Sequence, residues 1–470
     1  MKHLKRFRKK VVKTRQTKLD RFLSIIAYVC TFFYLFEYIF PLSWLGFVYS
    51  LLASGLFIYA LFHITMLNRI VALTLIIVGT MIFYIEGVAL YQVVLGFGEN
   101  INLLALFLFI PLIGTFLSSA GYLNALQYAI QKRARNGQNH PYKMGFLLLA
   151  TTGTVLNFGA MSIVKRIADE SFTSFHERKL TLHIMRAFGF CMLWSPYFVN
   201  VGLVTVLFDV SWFQIGLYGF ILALIHGTLS TLMLSRISFD NDPFIEREAQ
   251  AEDEVESYSL RPLILFTMVL LTLSILLDYW LEMNMITIVS FLAIALPLLW
   301  ALYSNILKQY VQDVSSHIQS AFPKVKNVLA IFISAGYFGT AINNTNMGEW
   351  VSTFLDRVSL GSVYFLTLLI IIVSILLAQL GIHPIVIVIG IGSSLSPVTL
   401  GVSPEYLALT LLLAWSLATQ VSPFSGQVLM ASRLINISTF KIAKQNAMFV
   451  LLSMIFLSLT LYSFFVLGWI

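Results

Sequence analysis

Two cysteines in 470 residues cannot make a disulfide framework, and both of them, Cys30 and Cys191, sit inside apolar runs where no metal-ligand spacing surrounds them. Charge is equally scarce: Asp, Glu, Lys and Arg make up 11% of the chain, against 58% hydrophobic residues. No polar stretch is long enough to fold as a separate soluble domain. The chain also lacks a phosphate-cradling Gly-Lys-Ser/Thr loop, a dinucleotide glycine motif and a zinc pattern, so nothing identifies an enzyme or a bound cofactor.

What the chain has is length of a particular kind. Apolar runs of ~20 residues recur from end to end, each sufficient to cross ~30 Å of hydrocarbon, and the mean hydropathy is +0.85. The expected fold is an all-α polytopic membrane protein. Its net charge of +8 is local, because residues 1–21 hold ten of the 30 Lys and Arg. Such a segment suits the anionic cytoplasmic face of a membrane; nothing else in the chain supports nucleic-acid binding. The apolar run after it, 22–40, is of spanning length without a cleavage site and reads as a retained first helix.

Basic residues also set the order of crossings, since short cytoplasmic loops collect Lys and Arg. Arg69, the cluster Lys132, Arg133, Arg135 and Lys143, then Arg236, and finally Arg433, Lys441 and Lys444 mark one side. Residues 98–102 and 209–212 are short loops on the other. Four regions follow: a basic cytoplasmic tail 1–21, an N-terminal membrane half 22–236, an acidic linker 237–261 and a C-terminal membrane half 262–470. The amphipathic spacing of 307, 310, 311, 314, 318 and 322 predicts a helical arm in the interface.

Residues 144–164 are apolar, but 165–179 are too polar to span. A full crossing would strand Lys165, Arg166, Arg178 and Lys179 outside. A re-entrant hairpin turning at Thr151, Thr152, Gly153 and Thr154 keeps them inside. In the second half Gly381, Ile382, His383 and Pro384 interrupt another apolar stretch, as a second hairpin tip or as a loop between two spans.

Ser-Pro occurs twice in the middle of a spanning run, at Ser195 and Pro196 and at Ser422 and Pro423. Proline removes a backbone donor and clashes with the preceding turn, so each helix must break there. Broken backbone at membrane depth is tolerated only in a protein interior or beside a polar cavity. A shift of 227 residues superposes the two Ser-Pro pairs and also sets 209–215 on 436–442, with Ser, Phe and Ile identical. Shifts of 225 and 228 set Gly114 and Thr115 on Gly339 and Thr340, and Gly153 on Gly381. Loop charge makes the first Ser-Pro helix run outward and the second inward, so the repeats are inverted. Paired discontinuous helices in inverted repeats point to a midplane site of a secondary transporter.

This layout resembles the ion transporter superfamily of divalent-anion/sodium symporters, arsenite carriers and Na⁺/H⁺ antiporters. The resemblance implies about eleven spans, two re-entrant hairpins, a cytoplasmic N-terminus, an outside C-terminus in the cytoplasmic membrane, and a homodimer. It implies a small anionic solute carried with Na⁺ or H⁺. The dicarboxylate symporters carry Ser-Asn-Thr at each hairpin tip, whereas this chain has Thr-Thr-Gly-Thr and Gly-Ile-His-Pro. Hydroxyls and freed carbonyls at Thr151, Thr152, Thr154 and Ser195, with Ser422 and Ser425, are the candidate oxygen ligands; Na⁺ falls to Thr151, Thr154, Ser195 and Ser422. Helix N-termini beyond the breaks favour an anion, with Asn200 and Gln427 adding side-chain contacts. His383 either carries a proton, donates to the anion or fixes its turn. Glu37, Glu86, Arg186, His226 and Asp278 are further ionisable groups within spans, of which Glu86 reads as deep and Arg186 as near a helix end. A cation/proton antiporter, or a protein handling lipid-linked sugars, are the alternatives. The first would want a carboxylate at the break, and the second larger outer loops.

Overall fold

The computed structural model describes residues 18–135, 140–246, 259–281, 283–345 and 347–470. Most of the basic tail (1–17), the second half of the acidic linker (247–258) and Asn346 of an asparagine cluster fall outside the described residues. Helices dominate, because in hydrocarbon each backbone N–H and C=O must be satisfied within its own segment.

The chain opens with α1 (Lys18–Ile39), α2 (Ser43–His63) and α3 (Met66–Ile85), followed by the short α4 (Leu90–Leu95) and the long apolar α5 (Ile101–Ser119). Next come α6 (Tyr122–Arg135), α7 (Pro141–Leu156), α8 (Phe158–Ser171), the three-residue strand β1 (Ser174–His176) and α9 (Glu177–Met192). The first half closes with α10 (Val199–Leu207), α11 (Trp212–Leu232) and β2 (Phe244–Glu246). The second half contains α12 (Arg261–Trp280), α13 (Met285–Tyr303), α14 (Leu307–Gln319), α15 (Phe322–Asn343) and α16 (Met347–Val358). It ends with α17 (Val363–Gln379), α18 (Pro384–Gly392), the single turn α19 (Pro397–Leu400), α20 (Pro404–Val421), α21 (Gly426–Ile435) and α22 (Thr439–Val466). Among the described residues ten helices are long and apolar enough to cross a bilayer, or eleven if the bent pair α16–α17 counts as one span. The protein is a polytopic all-α membrane protein.

Element starts repeat the sequence offset. Helices α9 and α20 begin at 177 and 404, α10 and α21 at 199 and 426, and α11 and α22 at 212 and 439, each pair 227 residues apart. Helices α6 and α16 start at 122 and 347, and α8 and α18 at 158 and 384. The correspondence thus reaches further than the residue matches.

Two spanning stretches and one buried-looking residue take a different course. Stretches 103–131 and 327–355, each of which reads in the sequence as one apolar span, break into α5–α6 and α15–α16. Gly121, at φ +70°, makes the first bend, and α6 carries Lys132 and Arg133 while α16 carries Glu349, Asp356 and Arg357. Short helices of that composition lie along an interface rather than through it. The expected arm over 307–322 is present as α14. Glu86 is the exposed C-cap residue of α3 and not a deep group, because that helix stops at Ile85 and Gly87 turns at φ +64°.

The acidic linker is not a free tether over its first part. Residues 244–246 pair antiparallel with β1. Just before them, the Asp242 carboxylate accepts the N–H groups of Arg178 (2.7 Å) and Lys179 (3.1 Å), capping α9. Arg178 Nη1 donates to the Asp240 carbonyl at 2.7 Å. Beneath this strap, buried Lys165 pairs with Asp169 at 2.5 Å and Glu177 at 3.1 Å. The polar stretch that could not span is therefore folded against the base of the first hairpin.

Candidate functional site

Both Ser-Pro dipeptides break their helices. Helix α9 ends at Met192 and α10 starts at Val199; α20 ends at Val421 and α21 starts at Gly426. Each break is bound to a hairpin in the same way. Ser195 Oγ donates to the Thr154 carbonyl (2.8 Å) and accepts the Tyr197 N–H (3.3 Å). Ser422 Oγ donates to the Ala378 carbonyl (2.6 Å) and accepts the Phe424 N–H (3.2 Å). A second bond accompanies each: Asn157 Nδ2 to the Tyr197 carbonyl (3.2 Å), and Gln379 Nε2 to the Val421 carbonyl (2.8 Å).

Each serine thus ties a hairpin carbonyl to a backbone N–H freed by the break. Removing one hydroxyl breaks both bonds, each worth about 0.5–1.5 kcal/mol. Ser195→Ala and Ser422→Ala are therefore expected to destabilise the protein by similar amounts in thermal unfolding, as the matched geometry requires. Clearly unequal losses would mean that the two joints are not equivalent.

The first hairpin is α7–α8, and its tip lies at Asn157, not at Thr151–Thr154. Helix α7 continues to Leu156, and Asn157 adopts φ +51° and ψ −138° to reverse the chain. Thr151, Thr152 and Thr154 instead lie in the last two turns of α7 and return their hydroxyls to carbonyls of Leu147, Leu148 and Ala150, with Gly153 packed on Cys191. Thr154 is joined to the break through its carbonyl, and its hydroxyl also meets Cys191 Sγ at 4.0 Å. The second interruption is a hairpin: Gly381, at φ +88°, turns α17 back into α18, whose nine residues span only ~14 Å. His383 caps α18, its Nδ1 accepting the Ile385 N–H at 3.3 Å, and Pro384 takes the first helical position, where no N–H is needed.

Four short helices begin at one place. The N-termini of α8, α10, α18 and α21 meet around a cavity of about 280 Å³ whose lining includes Asn157, Asn200, His383, Pro384 and Gln427. Of the residues singled out from sequence, these last four are brought together in the cavity wall. Thr151, Thr152, Gly153, Thr154, Ser195, Pro196, Gly381, Ser422, Pro423 and Ser425 stand behind it, holding hairpins and breaks. Ser425 caps α21, accepting the Val428 N–H at 3.2 Å.

Two amides are fixed by backbone. Asn200 Nδ2 donates to the Met192 carbonyl and Gln427 Nε2 to the Met185 carbonyl, both at 2.7 Å. The Gln427 carbonyl oxygen is buried and has no partner. Apart from Thr419 the remaining wall is apolar, with Phe107, Phe188, Met192, Phe198, Trp415 and Met430 in it. A second space of about 670 Å³ shares Phe107, Asn157 and Val199 with the cavity and extends to Arg166 and Asp313. It is a vestibule between α5 and the first hairpin.

Sequence reading missed two features. Asn157 could have been found as the polar residue 226 positions before His383. Arg186 is not near a helix end able to snorkel: it lies within α9, 1% exposed. Its Nε donates to Asn446 Oδ1 at 2.8 Å and its guanidinium lies 4.1 Å from the Phe449 ring centre. Asn446 donates in turn to the Gln420 carbonyl (2.9 Å), and the Gln420 side chain meets His226 Nε2 at 3.1–3.2 Å. These residues tie α9, α11, α20 and α22 together behind the cavity. Asp278, 7% exposed, accepts the Phe213 N–H at 2.9 Å at the start of α11. Among the described residues, the ion pairs are confined to Lys165 and its two acids.

Paired broken helices and hairpins meeting at a cavity within the membrane-spanning part define a transporter. Residues 192–466 match the family model of the tripartite ATP-independent periplasmic transporter, DctM component. That match begins at the first break and covers more than half of the chain, which therefore belongs to this family of secondary transporters. It is a transporter family and not an enzyme family, and the chain is a multi-pass integral membrane protein. No curated protein matches the chain.

Proposed function

We propose that this chain is the membrane-embedded translocator for a small anionic solute, driven by Na⁺, and that it works with the other components of a three-part transporter. The observation that carries the anion is the meeting of four helix N-termini in one wall, where the dipole ends and the first-turn N–H groups not used by the His383 and Ser425 caps favour negative charge. Among the described residues no Asp or Glu lines that cavity, so the cation/proton antiporter and lipid-linked sugar readings gain no support.

Na⁺ is preferred to H⁺ as the coupling ion because His383 uses Nδ1 as an acceptor for the Ile385 N–H. A proton on Nδ1 would break that cap, so the neutral ring with its proton on Nε2 is the form that fits. The paired joints at Ser195 with the Thr154 carbonyl and at Ser422 with the Ala378 carbonyl are the proposed Na⁺ positions. Each hydroxyl oxygen retains acceptor capacity after donating, and Thr151 is a secondary candidate in the adjacent turn of α7. Inverted orientation of the two halves, with the N-terminus in the cytoplasm and the vestibule at Arg166 opening there, completes the reading as an alternating-access carrier in its inward-facing state. The kinship with divalent-anion symporters expected from sequence belongs to the same proposal.

Thermal unfolding of the purified chain with small anions, in Na⁺ or K⁺ at two pH values, tests this reading. A native-state ligand raises the melting temperature by mass action, and the expected result is a rise that needs an anion and Na⁺ together. His383→Asn, which retains an acceptor for the cap, is expected to leave the pH dependence unchanged. A rise with pH alone, an anion-dependent rise that is the same in K⁺ as in Na⁺, or a pH profile that changes in the variant, would sink Na⁺ coupling.

A further inference from the structure

At the basic end of the molecule a groove of about 1070 Å³ opens between α11 and α22, sharing no residue with the cavity of the broken helices. Its cations come from three stretches far apart in the chain. Arg178 stands in the first turn of α9, Arg236 ends the 3₁₀ turn Met233–Arg236 after α11, and Lys441 and Lys444 lie in the first two turns of α22. Two hydrogen bonds fix these walls to one another. Arg178 Nη1 donates to the Asp240 carbonyl at 2.7 Å, and Gln445 Nε2 donates to the Arg236 carbonyl at 3.3 Å. Four cations thus line one space against a single carboxylate, that of Asp240, an excess of three positive charges (four minus one).

Positive charge at a membrane surface is ordinarily a solvated loop. Two observations set this cluster apart. Among the described residues none of the four cations has an ion-pair partner, and Arg178 Nε is buried without a hydrogen bond. A buried guanidinium N–H left open beside three further cations calls for an anionic acceptor.

The same groove continues along the membrane-spanning helices. Leu232 at the end of α11 is 72% exposed and Met448 on α22 is 58% exposed, and Leu452 lines the groove one turn further on. Met448 and Leu452 follow Lys444 on one face of α22, so the apolar strip extends ~12 Å from the charge. A free inorganic anion needs neither that length nor that volume. A phospholipid needs both.

We propose that this groove binds an anionic phospholipid, its phosphate held by the two arginines and two lysines and an acyl chain lying along Leu232, Met448 and Leu452.

The test uses the full purified chain in neutral detergent, titrated with dioctanoylphosphatidylglycerol, dioctanoylphosphatidylcholine and glycerol 1-phosphate, and read by native mass spectrometry and thermal unfolding. The phosphatidylglycerol is expected to stay bound and to raise the melting temperature; the other two are expected to do neither. Each lysine beside an anionic headgroup adds about fivefold to affinity, so Lys441→Gln/Lys444→Gln should weaken phosphatidylglycerol binding about 30-fold. Lys132→Gln/Arg133→Gln, on α6 and outside the groove, should leave it unchanged. Equal losses in the two double variants, or no loss in the first, overturn the site, because binding would then follow net charge or need neither lysine. Stabilisation by glycerol 1-phosphate equal to that by the lipid would make this a soluble-phosphate site and overturn the lipid. Equal retention of the phosphatidylcholine would remove the charge recognition and overturn it too. None of these outcomes touches the transport reading, which rests on the other cavity.

Discussion

Asn157→Val is expected to abolish anion-dependent stabilisation and to lower transport by about tenfold or more. The reason is local. Asn157 reverses the first hairpin at φ +51° and ψ −138°, a conformation in which a β-branched side chain costs about 1–3 kcal/mol. The substitution also removes the donor to the Tyr197 carbonyl (3.2 Å), leaving a half-closed joint between hairpin and break, at a further ~1–3 kcal/mol. Since 1.4 kcal/mol is a factor of ten, the two losses together, about 2–6 kcal/mol, reach the expected effect. Asn157→Gly separates them, because it relieves the backbone and loses only the bond. Anion titrations of the two variants, followed by thermal unfolding, decide the matter. A valine variant that still responds fully would show that the hairpin tip does not shape the cavity.

Gly219→Ala is expected to lower the melting temperature strongly even though it adds a single methyl group. Gly219 faces the first break from α11, and a Cβ there would lie 2.4 Å from the Leu193 carbonyl oxygen and 3.4 Å from Trp194 Cα. Backbone cannot swing away as a flexible side chain can, so α11 must separate from the break, at about 1–3 kcal/mol for such overpacking. Gly55→Ala on α2 is the control: nothing lies within 4 Å of its Cβ position, and alanine is the better helix former by roughly 0.5–1 kcal/mol. A Gly219→Ala protein as stable as the control would mean that this close approach does not exist in solution.

The comparison of α9–α10 with α20–α21 shows where reading a sequence succeeds. Proline acts on its own helix, through its missing N–H and its ring, so both breaks were legible at the residue. Apolar length likewise decided α12 and α13 without help from neighbours. The arms α6 and α16 were hidden because an apolar run followed by an amphipathic one looks like a single long span until Gly121 and the residues after Asn343 turn the chain. The tip at Asn157 was misplaced by a few residues for a related reason. The Thr151–Thr154 run has turn-forming composition, but its hydroxyls bond back to carbonyls one turn earlier, which lets α7 continue to Leu156.

Sequence by itself determined that this is a polytopic helical membrane protein with two broken helices in repeated halves, because hydrophobic length and proline chemistry are properties of short contiguous segments. It also picked out Asn200, His383, Pro384 and Gln427. Only the tertiary structure decided that these four share one wall, that Asn157 joins them, and that Arg186 is sealed among Asn446 and Phe449. Those facts depend on contacts between residues as much as 260 positions apart, and no local preference of the chain encodes which of its many apolar helices lie side by side.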